Sequence, residues 1–369
     1  MMNRMILGNL VHRPVRSMIS IVAVALEVTL ILLIVGLCLG MMQDTRTRAG
    51  GIGADVIVLP PGSSFIAGLS SAPMPIKVGG VLAKLPHVKS VAPVIQQTTS
   101  SGSFFEMITG IDLPSYESMS SGFHYLQGGP FQEPYDVLLD DLFAESKHAK
   151  VGDTIDILNN KFRICGIVER GKGGRKFVPI STLQDLMGAK DKATIFYLKL
   201  DDPANADTVV DEIDHVPGME RYKVNSMASY LAMMTTNNIP GLSVFIKVVV
   251  GISVVIGFIV IFQAMYTAVM ERTREIGILK AMGASKFYIV NVVLRETALL
   301  ALAGIVLGIV VSLAARAALA HKFPLLQVVV DGGWIVRATL IAIVGAIAGA
   351  LYPAFQAAQK DPIDALAYE

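Results

Sequence analysis

MISIVAVALEVTLILLIVGLCLGMM, residues 18–42, is an apolar run broken by one carboxylate, and it is as long as a helix needs to be to cross ~30 Å of hydrocarbon. Three similar runs follow: Leu242 to Val269, Thr297 to Leu319 and Trp334 to Leu351. Their only charges, Lys247, Arg316 and Arg337, sit near the ends, where long side chains snorkel to the interface. A long polar stretch separates the first run from the other three. This spacing predicts a membrane α-helical protein with four transmembrane helices in a 1+3 arrangement, plus a mixed α/β extracytoplasmic domain of residues 43–240. The composition agrees, with 53% hydrophobic and only 17% charged residues, against roughly 25% charged in soluble proteins. A cleaved secretory signal does not fit residues 18–42, because the run exceeds a signal's apolar region and Leu37 before Cys38 spoils a lipoprotein-type cleavage site.

Orientation follows from Lys and Arg in the short flanks. Arg4, Arg13 and Arg16 precede the first span, and Arg272, Arg274, Lys280, Lys286 and Arg295 crowd the link between the second and third. The link between the third and fourth has Lys322 with His321. Both termini and the basic link are therefore expected in the cytoplasm of a multi-pass inner-membrane protein. The segments read as a cytoplasmic amphipathic segment 1–17, spans 18–42, 242–269, 297–319 and 334–351, a cytoplasmic elbow 270–296, an outer loop 320–333 and a cytoplasmic tail 352–369. Residues 43–240 carry 18 Lys/Arg against 22 Asp/Glu, and the membrane part 13 against 8, so the basic excess lies on the span flanks.

Glu27 lies well inside the first span, where an unpaired charge is costly. Gln263 is its expected partner; a structural interhelical hydrogen bond and a substrate or proton role both remain open. Small residues at four-residue spacing, Gly36 with Gly40, Gly304 with Gly308 and Gly345 with Gly349, allow close helix approach. Gly345 has the strongest pattern, since Ala342, Ala346 and Ala350 extend its face.

In the outer domain, Asp55 to Leu59 reads as a buried strand, and Thr154 to Leu158 with Lys161 to Val168 as a hairpin turning at Asn159-Asn160. Thr194 to Leu200 is another strand; helices are expected at Gly79 to Lys84, Ser181 to Met187 and Pro203 to Asp214. Cys38 and Cys165 are too differently placed to pair. No HExxH, GxSxG or His/Cys cluster at metal-ligand spacing is present, so neither a catalytic nor a metal site is expected. The basic loop RGKGGRK, Arg170 to Lys176, lacks the spacing of a phosphate-binding GxxxxGK[ST] loop. It reads as a flexible hairpin connection, or as a contact for a partner or anionic headgroups.

The segment ERTREIGILKAMGASKFYIVNVVLRE, Glu271 to Glu296, starts as an amphipathic helix with Ile276, Leu279 and Met282 on one side. Gly283 suits a helix stop and Ser285 the cap of the next helix. This helix-turn-helix elbow resembles the signature of MacB/FtsX-type ABC transporter permeases, the mechanotransmission class. The closing segment resembles that family too: Tyr352-Pro353-Ala354, Ala357-Ala358, Asp361-Pro362 and Ala365-Leu366.

The resemblance implies a permease that dimerises with a second copy or a paralogue, sits in membrane lipid and binds two copies of a separate ABC ATPase. It assigns Glu271, Arg272, Arg274, Glu275, Gly277, Lys280, Gly283, Ala284 and Ser285 to the ATPase-facing elbow. ATP and Mg would be bound by the partner ATPase, with no cofactor in this chain, which lacks a Walker A pattern and is not expected to be an enzyme. Force on the elbow would reach residues 43–240 through one continuous second-span helix. Export, efflux or lipoprotein release, with a periplasmic adaptor, is the expected role. The alternative is an FtsX-like signalling scaffold controlling cell-wall hydrolases without transport. No nucleic-acid partner is expected.

Overall fold

A computed structural model of the chain describes residues 14–63, 73–101, 104–235, 238–239 and 241–359. Arg4 and Arg13, and the closing Asp361-Pro362 and Ala365-Leu366, lie outside the described residues. The chain divides into a membrane unit (residues 1–40, 241–322 and 328–369) and an outer unit (residues 41–240 with 323–327).

Four described helices are long and apolar enough to cross a membrane: Ser17–Gly50, Leu242–Glu271, Lys286–Lys322 and Gly332–Gln359. The first, whose helix begins at Pro14, and the third outrun their apolar stretches, since 37 residues each correspond to about 55 Å of helix. The membrane core gathers Val24, Val28, Ile31 and Leu32 of the first span, Ile261 and Met265 of the second and Leu300 and Ile305 of the third. The fourth contributes a stripe of buried alanines, Ala338, Ala342, Ala346 and Ala350, spaced one helical turn apart.

Helices of the membrane unit approach where glycine removes a side chain. A Cβ on Gly304 would stand 2.7 Å from Val24 Cβ, and one on Gly308 would stand 2.8 Å from the Ala25 carbonyl oxygen. One on Gly349 would stand 2.9 Å from the Phe258 carbonyl oxygen. Gly345 is different. A Cβ there would meet only Glu27 Oε1, at 3.9 Å, so the best-patterned glycine is not a close-approach point. Gly36 admits no helix but the loop before the fourth span, its carbonyl accepting from Val329 N–H at 2.9 Å.

The described strands of the outer unit are β1 (Val56–Leu59), β2 (Met74–Pro75), β3 (Val88–Ser101), β4 (Phe104–Ile111), β5 (Tyr125–Gly128), β6 (Asp136–Asp140), β7 (Thr154–Ile157), β8 (Asn160–Val168), β9 (Lys176–Pro179), β10 (Lys192–Ala193), β11 (Ile195–Leu200) and β12 (Lys223–Ser226). Ten form one sheet in the order β12-β1-β11-β3-β4-β9-β6-β8-β5, with β7 on β8. Among the described strands, only β4–β9 and β6–β8 pair in parallel. Both faces are covered, which is why β1 reads VIVL without alternation. One face buries Ile57, Ala92, Ile111, Leu138, Phe177 and Tyr197. On the other, Val58, Phe196 and Leu198 pack with Leu82, Val209 and Ile213 of helices Lys77–Leu82 and Ala206–Asp214. Beside them, Ile95, Val137, Leu139 and Ile164 pack with Phe143 and Leu183 of helices Asp141–Lys147 and Ile180–Leu186. Cys38 and Cys165 are both free.

The β7–β8 turn falls on Leu158 and Asn159, at φ 50° and 61°, not on Asn159-Asn160. Its register is set at the far end. There Ile164 N–H donates to the Asp153 carbonyl and Gly152 N–H to the Ile164 carbonyl, at 2.8 and 2.9 Å, leaving Ile157 opposite Asn160. Leu158 is compensated by packing against the buried Ile157 and Phe162 cluster, so tertiary register outweighs local turn preference.

Candidate functional site

The second span ends at Glu271, and a separate helix, Thr273–Ala281, forms the elbow. Arg272 is the break, with φ −108° and ψ 17°. Its N–H reaches only three residues back, to the Val269 carbonyl at 3.2 Å, and helical bonding resumes from Ile276 N–H to the Arg272 carbonyl at 3.0 Å. The Thr273 hydroxyl donates to the Val269 and Met270 carbonyls at 3.3 and 2.9 Å, satisfying acceptors that a helix end leaves open. The elbow helix stops at Gly283, φ 95°. Gly283 N–H bonds the Lys280 carbonyl at 2.9 Å and Ala284 N–H the Leu279 carbonyl at 3.0 Å, the two bonds of a Schellman stop. Ser285 Oγ then accepts from Tyr288 N–H at 3.2 Å, capping the long helix that carries the third span.

The nine residues assigned to this elbow do not share one face. Arg272 turns inward: its Nη1 lies 3.0 Å from Glu296 Oε2, with the two side chains 12% and 5% exposed. Gly277 is buried, and Lys280 Nζ donates to the Ala358 carbonyl at the end of the fourth span, at 3.0 Å. Arg272 and Lys280 tie the elbow to the third and fourth spans instead of presenting it outward, because each meets a partner on the same chain. Glu271, Arg274, Glu275, Gly283 and Ser285 are exposed and Ala284 half-exposed. Met282, expected on the apolar inner side, is 72% exposed, and Ile278 and Phe287 join it at 44% and 76%. The apolar contacts of the elbow are made instead by Ile276 against Val269, Ile289, Ala357 and Ala358. Glu296 and Phe287 were not singled out from the sequence. A signal existed for the first: Arg272 and Glu296 stand twelve residues either side of Ala284, mirrored positions on a helix-turn-helix that bring opposite charges together.

Glu27 is buried at 4% exposure and Gln263 is exposed, so the expected Glu27–Gln263 pair does not form. Glu27 lies against the backbones of the second and fourth spans instead. A Cβ on Gly257 would stand 2.0 Å from its Oε2, and Oε1 has no hydrogen-bond partner.

In the outer unit the RGKGGRK loop is not a hairpin connection. Its flanking strands β8 and β9 lie on either side of β6, so it crosses the end of that strand. Its charges are engaged within the unit: Arg170 with Asp141 at 2.8 Å, Lys172 with Ser120 Oγ at 3.1 Å, and Lys176 with Glu106. Arg175 Nη2 lies 2.8 Å from Asp44 and its Nη1 3.7 Å from buried Asp140. Asp44 also holds Arg48 at 3.0 Å, and Asp140 Oδ1 caps helix Asp141–Lys147 through Phe143 N–H at 2.6 Å. Burial pushes the Asp140 carboxyl up to about 6, against the pull of Arg175. Asp136 titrates the other way. Burial raises it, but N–H bonds from Gln132 and Glu133 and the Arg163 guanidinium outweigh that and hold it below the usual range. Among the described residues no group of three or more His, Cys, Asp and Glu side chains is placed to hold a metal ion.

Comparison with known proteins places these observations in a family. Residues 17–216 match the model of the MacB-like periplasmic core domain, and residues 247–362 that of the FtsX-like permease C-terminal domain. The macrolide export ATP-binding/permease protein MacB of Bdellovibrio bacteriovorus is 24% identical over 98% of this chain and 60% of that protein. An uncharacterised ABC transporter permease of Methanocaldococcus jannaschii is 28% identical over 60% of this chain and 58% of its own length. The chain thus spans about 60% of the curated relatives it matches. Among solved structures, the periplasmic region of MacB from Actinobacillus actinomycetemcomitans is similar at TM-score 0.39 and 17% identity, covering 50% of this chain and 94% of that one. The extracellular domain of YknZ, a noncanonic ABC-type transporter from Gram-positive bacteria, is similar at TM-score 0.36 and 14% identity, covering 47% and 99%.

Proposed function

From the premise that the chain belongs to the MacB/FtsX-type ABC transporter permeases, we propose that it couples ATP hydrolysis in a separate ABC ATPase to motion of its outer unit. The observation that carries this reading is the outer surface of the elbow. Ile278, Met282 and Phe287 are exposed apolar side chains set beside the exposed charges of Arg274 and Glu275. Apolar anchors with a polar rim make a protein docking site, and the tight Gly283–Ser285 turn makes this one rigid. Two ATPase subunits, one on each copy of a permease dimer, would bind ATP and Mg²⁺, and this chain would bind neither. Both termini and the elbow face the cytoplasm of an inner-membrane protein in this reading.

The route outward runs through the first span. Its helix is unbroken from Pro14 to Gly50, and residues from Met41 belong to the outer unit. The second-span helix is continuous from Leu242, directly after Gly241 at φ 81°, to Glu271 at the elbow. The MacB relatives are named for macrolide export. Export or release of an extracytoplasmic substrate, with a periplasmic adaptor, extends that to this chain.

The test is reconstitution of the chain with the ABC ATPase that co-purifies with it. Glu275→Lys and Phe287→Glu should each lower permease-stimulated ATP hydrolysis about 10-fold or more, as loss of an interface anchor does, while membrane insertion stays at the wild-type level. Undiminished stimulation in both variants would overturn the assignment. Co-purification of a wall-hydrolase activator in place of an adaptor would move the reading to an FtsX-like signalling scaffold.

A further inference from the structure

We propose that Arg272 and Glu296 form a positioning pair that sets the angle of the elbow helix on the second span, so that the elbow moves with the third span as one lever. The inference rests on the coupling role proposed above, and its geometry lies wholly within the membrane unit.

The joint at Arg272 is a one-residue break. The helical ladder stops before it and restarts after it, so the backbone alone would let the elbow swing about that residue's φ and ψ, as hinge residues do. Among the described residues, two side-chain contacts oppose the swing, one near each end of the elbow helix. At the near end the Arg272 guanidinium crosses to Glu296, 24 residues on, at 3.0 Å. At the far end Lys280 Nζ reaches the Ala358 carbonyl at 3.0 Å.

The two contacts differ in kind. Lys280 is half-buried and reaches the neutral Ala358 carbonyl. Arg272 and Glu296 are opposite charges, both largely removed from water, in a cleft walled by Met265, Val269, Ile289 and Val293. Removing one member of such a buried pair is costly to the other. Glu296 stands on the third-span helix Lys286–Lys322, so a swing that carried the elbow and that helix together about Arg272 would separate the pair, and the paired geometry is preferred over a continuum of angles. A buried ion pair adds little net stability over apolar packing, yet breaking it by removing one partner is costly, and a lever needs that property.

Hydrogen exchange of the full-length chain in lipid nanodiscs tests this without any ATPase present. Glu296→Gln keeps the shape and removes the charge. It should speed exchange of the amides of residues 276–282 by roughly 10-fold or more through local opening, with those of the second span unchanged. The charge swap R272E/E296R should return exchange to within about 3-fold of the wild type, because it restores the pair by a different chemistry. If E296Q prevents insertion, Arg272→Lys takes its place: it keeps the charge but loses reach and the planar fork, and the same acceleration is expected. Unchanged exchange in E296Q, or in R272K where it substitutes, overturns the proposal. Failure of the swap to restore protection also overturns it.

With the ATPase added, E296Q should still co-purify in the wild-type ratio while stimulated turnover falls, the split expected of a positioning residue. A wild-type chain that stimulates no ATPase, but whose elbow passes the exchange test, would remove the coupling role and leave the joint standing.

Discussion

At the scale of single residues, the membrane unit is decided by where side chains are missing. Gly304, Gly308 and Gly349 each leave less than 3 Å for a Cβ before a backbone oxygen or a buried valine, atoms that cannot rotate away. Alanine at any of them should therefore lower stability by about 1–3 kcal/mol through overpacking. Gly345→Ala meets only Glu27 Oε1 at 3.9 Å, and should be neutral or up to about 1 kcal/mol stabilising through helix propensity. Thermal denaturation of the four variants in detergent ranks them; equal losses in all four would refute the close-approach account. Glu27 belongs to the same scale. Its carboxyl has no charged partner among the described residues and lies against Gly257 and Gly345. Glu27→Gln preserves the shape and should assemble normally. Glu27→Lys, which adds length and an unpaired charge in that niche, should lower the yield of folded protein in membranes; equal yields of the two would refute the tight fit.

At the scale of elements, the elbow depends on its turn. Nothing lies within 4 Å of a Cβ built on Gly283, so alanine there has room, and its cost is the left-handed backbone at φ 95° alone, about 1 kcal/mol. Ser285→Ala removes the cap of the next helix, at a similar cost of about 1 kcal/mol. Both should loosen the elbow and raise amide exchange at Gly283 and Ala284, whose bonds close the stop. Protection equal to wild type at these two amides would mean that outside contacts hold the turn. The β7–β8 turn makes the contrast. There the favourable turn residues are one position off, and sheet register prevails over them.

At the scale of the whole molecule, the outer unit carries two buried carboxylates with opposite pH signatures. Asp140 titrates near 6 when folded against 3.8 in its unperturbed state, so the folded form holds the proton more tightly. Its contribution is therefore largest below pH 4, falls between pH 4 and 6, and is flat above, by up to about 3 kcal/mol. Asp136 is held below its ordinary value; it stabilises above about pH 4, and that contribution is lost as the pH falls through its folded value. Exchange protection of the outer unit in the full-length chain should fall from pH 4 to 6, and Asp140→Asn, which keeps the helix cap, should flatten that fall. A wild-type profile no steeper than that of the variant would refute the assignment.

Much of this architecture is legible in the sequence because its signals are local. Four apolar runs, a polar insertion and the Gly283–Ser285 punctuation each lie within a few dozen residues, and hydrocarbon thickness and backbone sterics act on them without knowledge of the fold. For the elbow's internal partners the sequence holds only a spacing, Arg272 and Glu296 at equal distances from Ala284. Arg272 reads as one more basic flank residue until the turn folds back and sets it against Glu296, and Lys280 until the fourth span ends beside it. Arg175 likewise reads as part of a flexible basic loop until β6 and the end of the first helix bring Asp140 and Asp44 to it. The sequence by itself determined the spans, the insertion between them and the stop of the elbow, because hydropathy and backbone preference are properties of short segments. Only the tertiary structure decided which charges face inward, which glycines are tight and which residues form a turn, because these depend on burial between segments far apart in the chain.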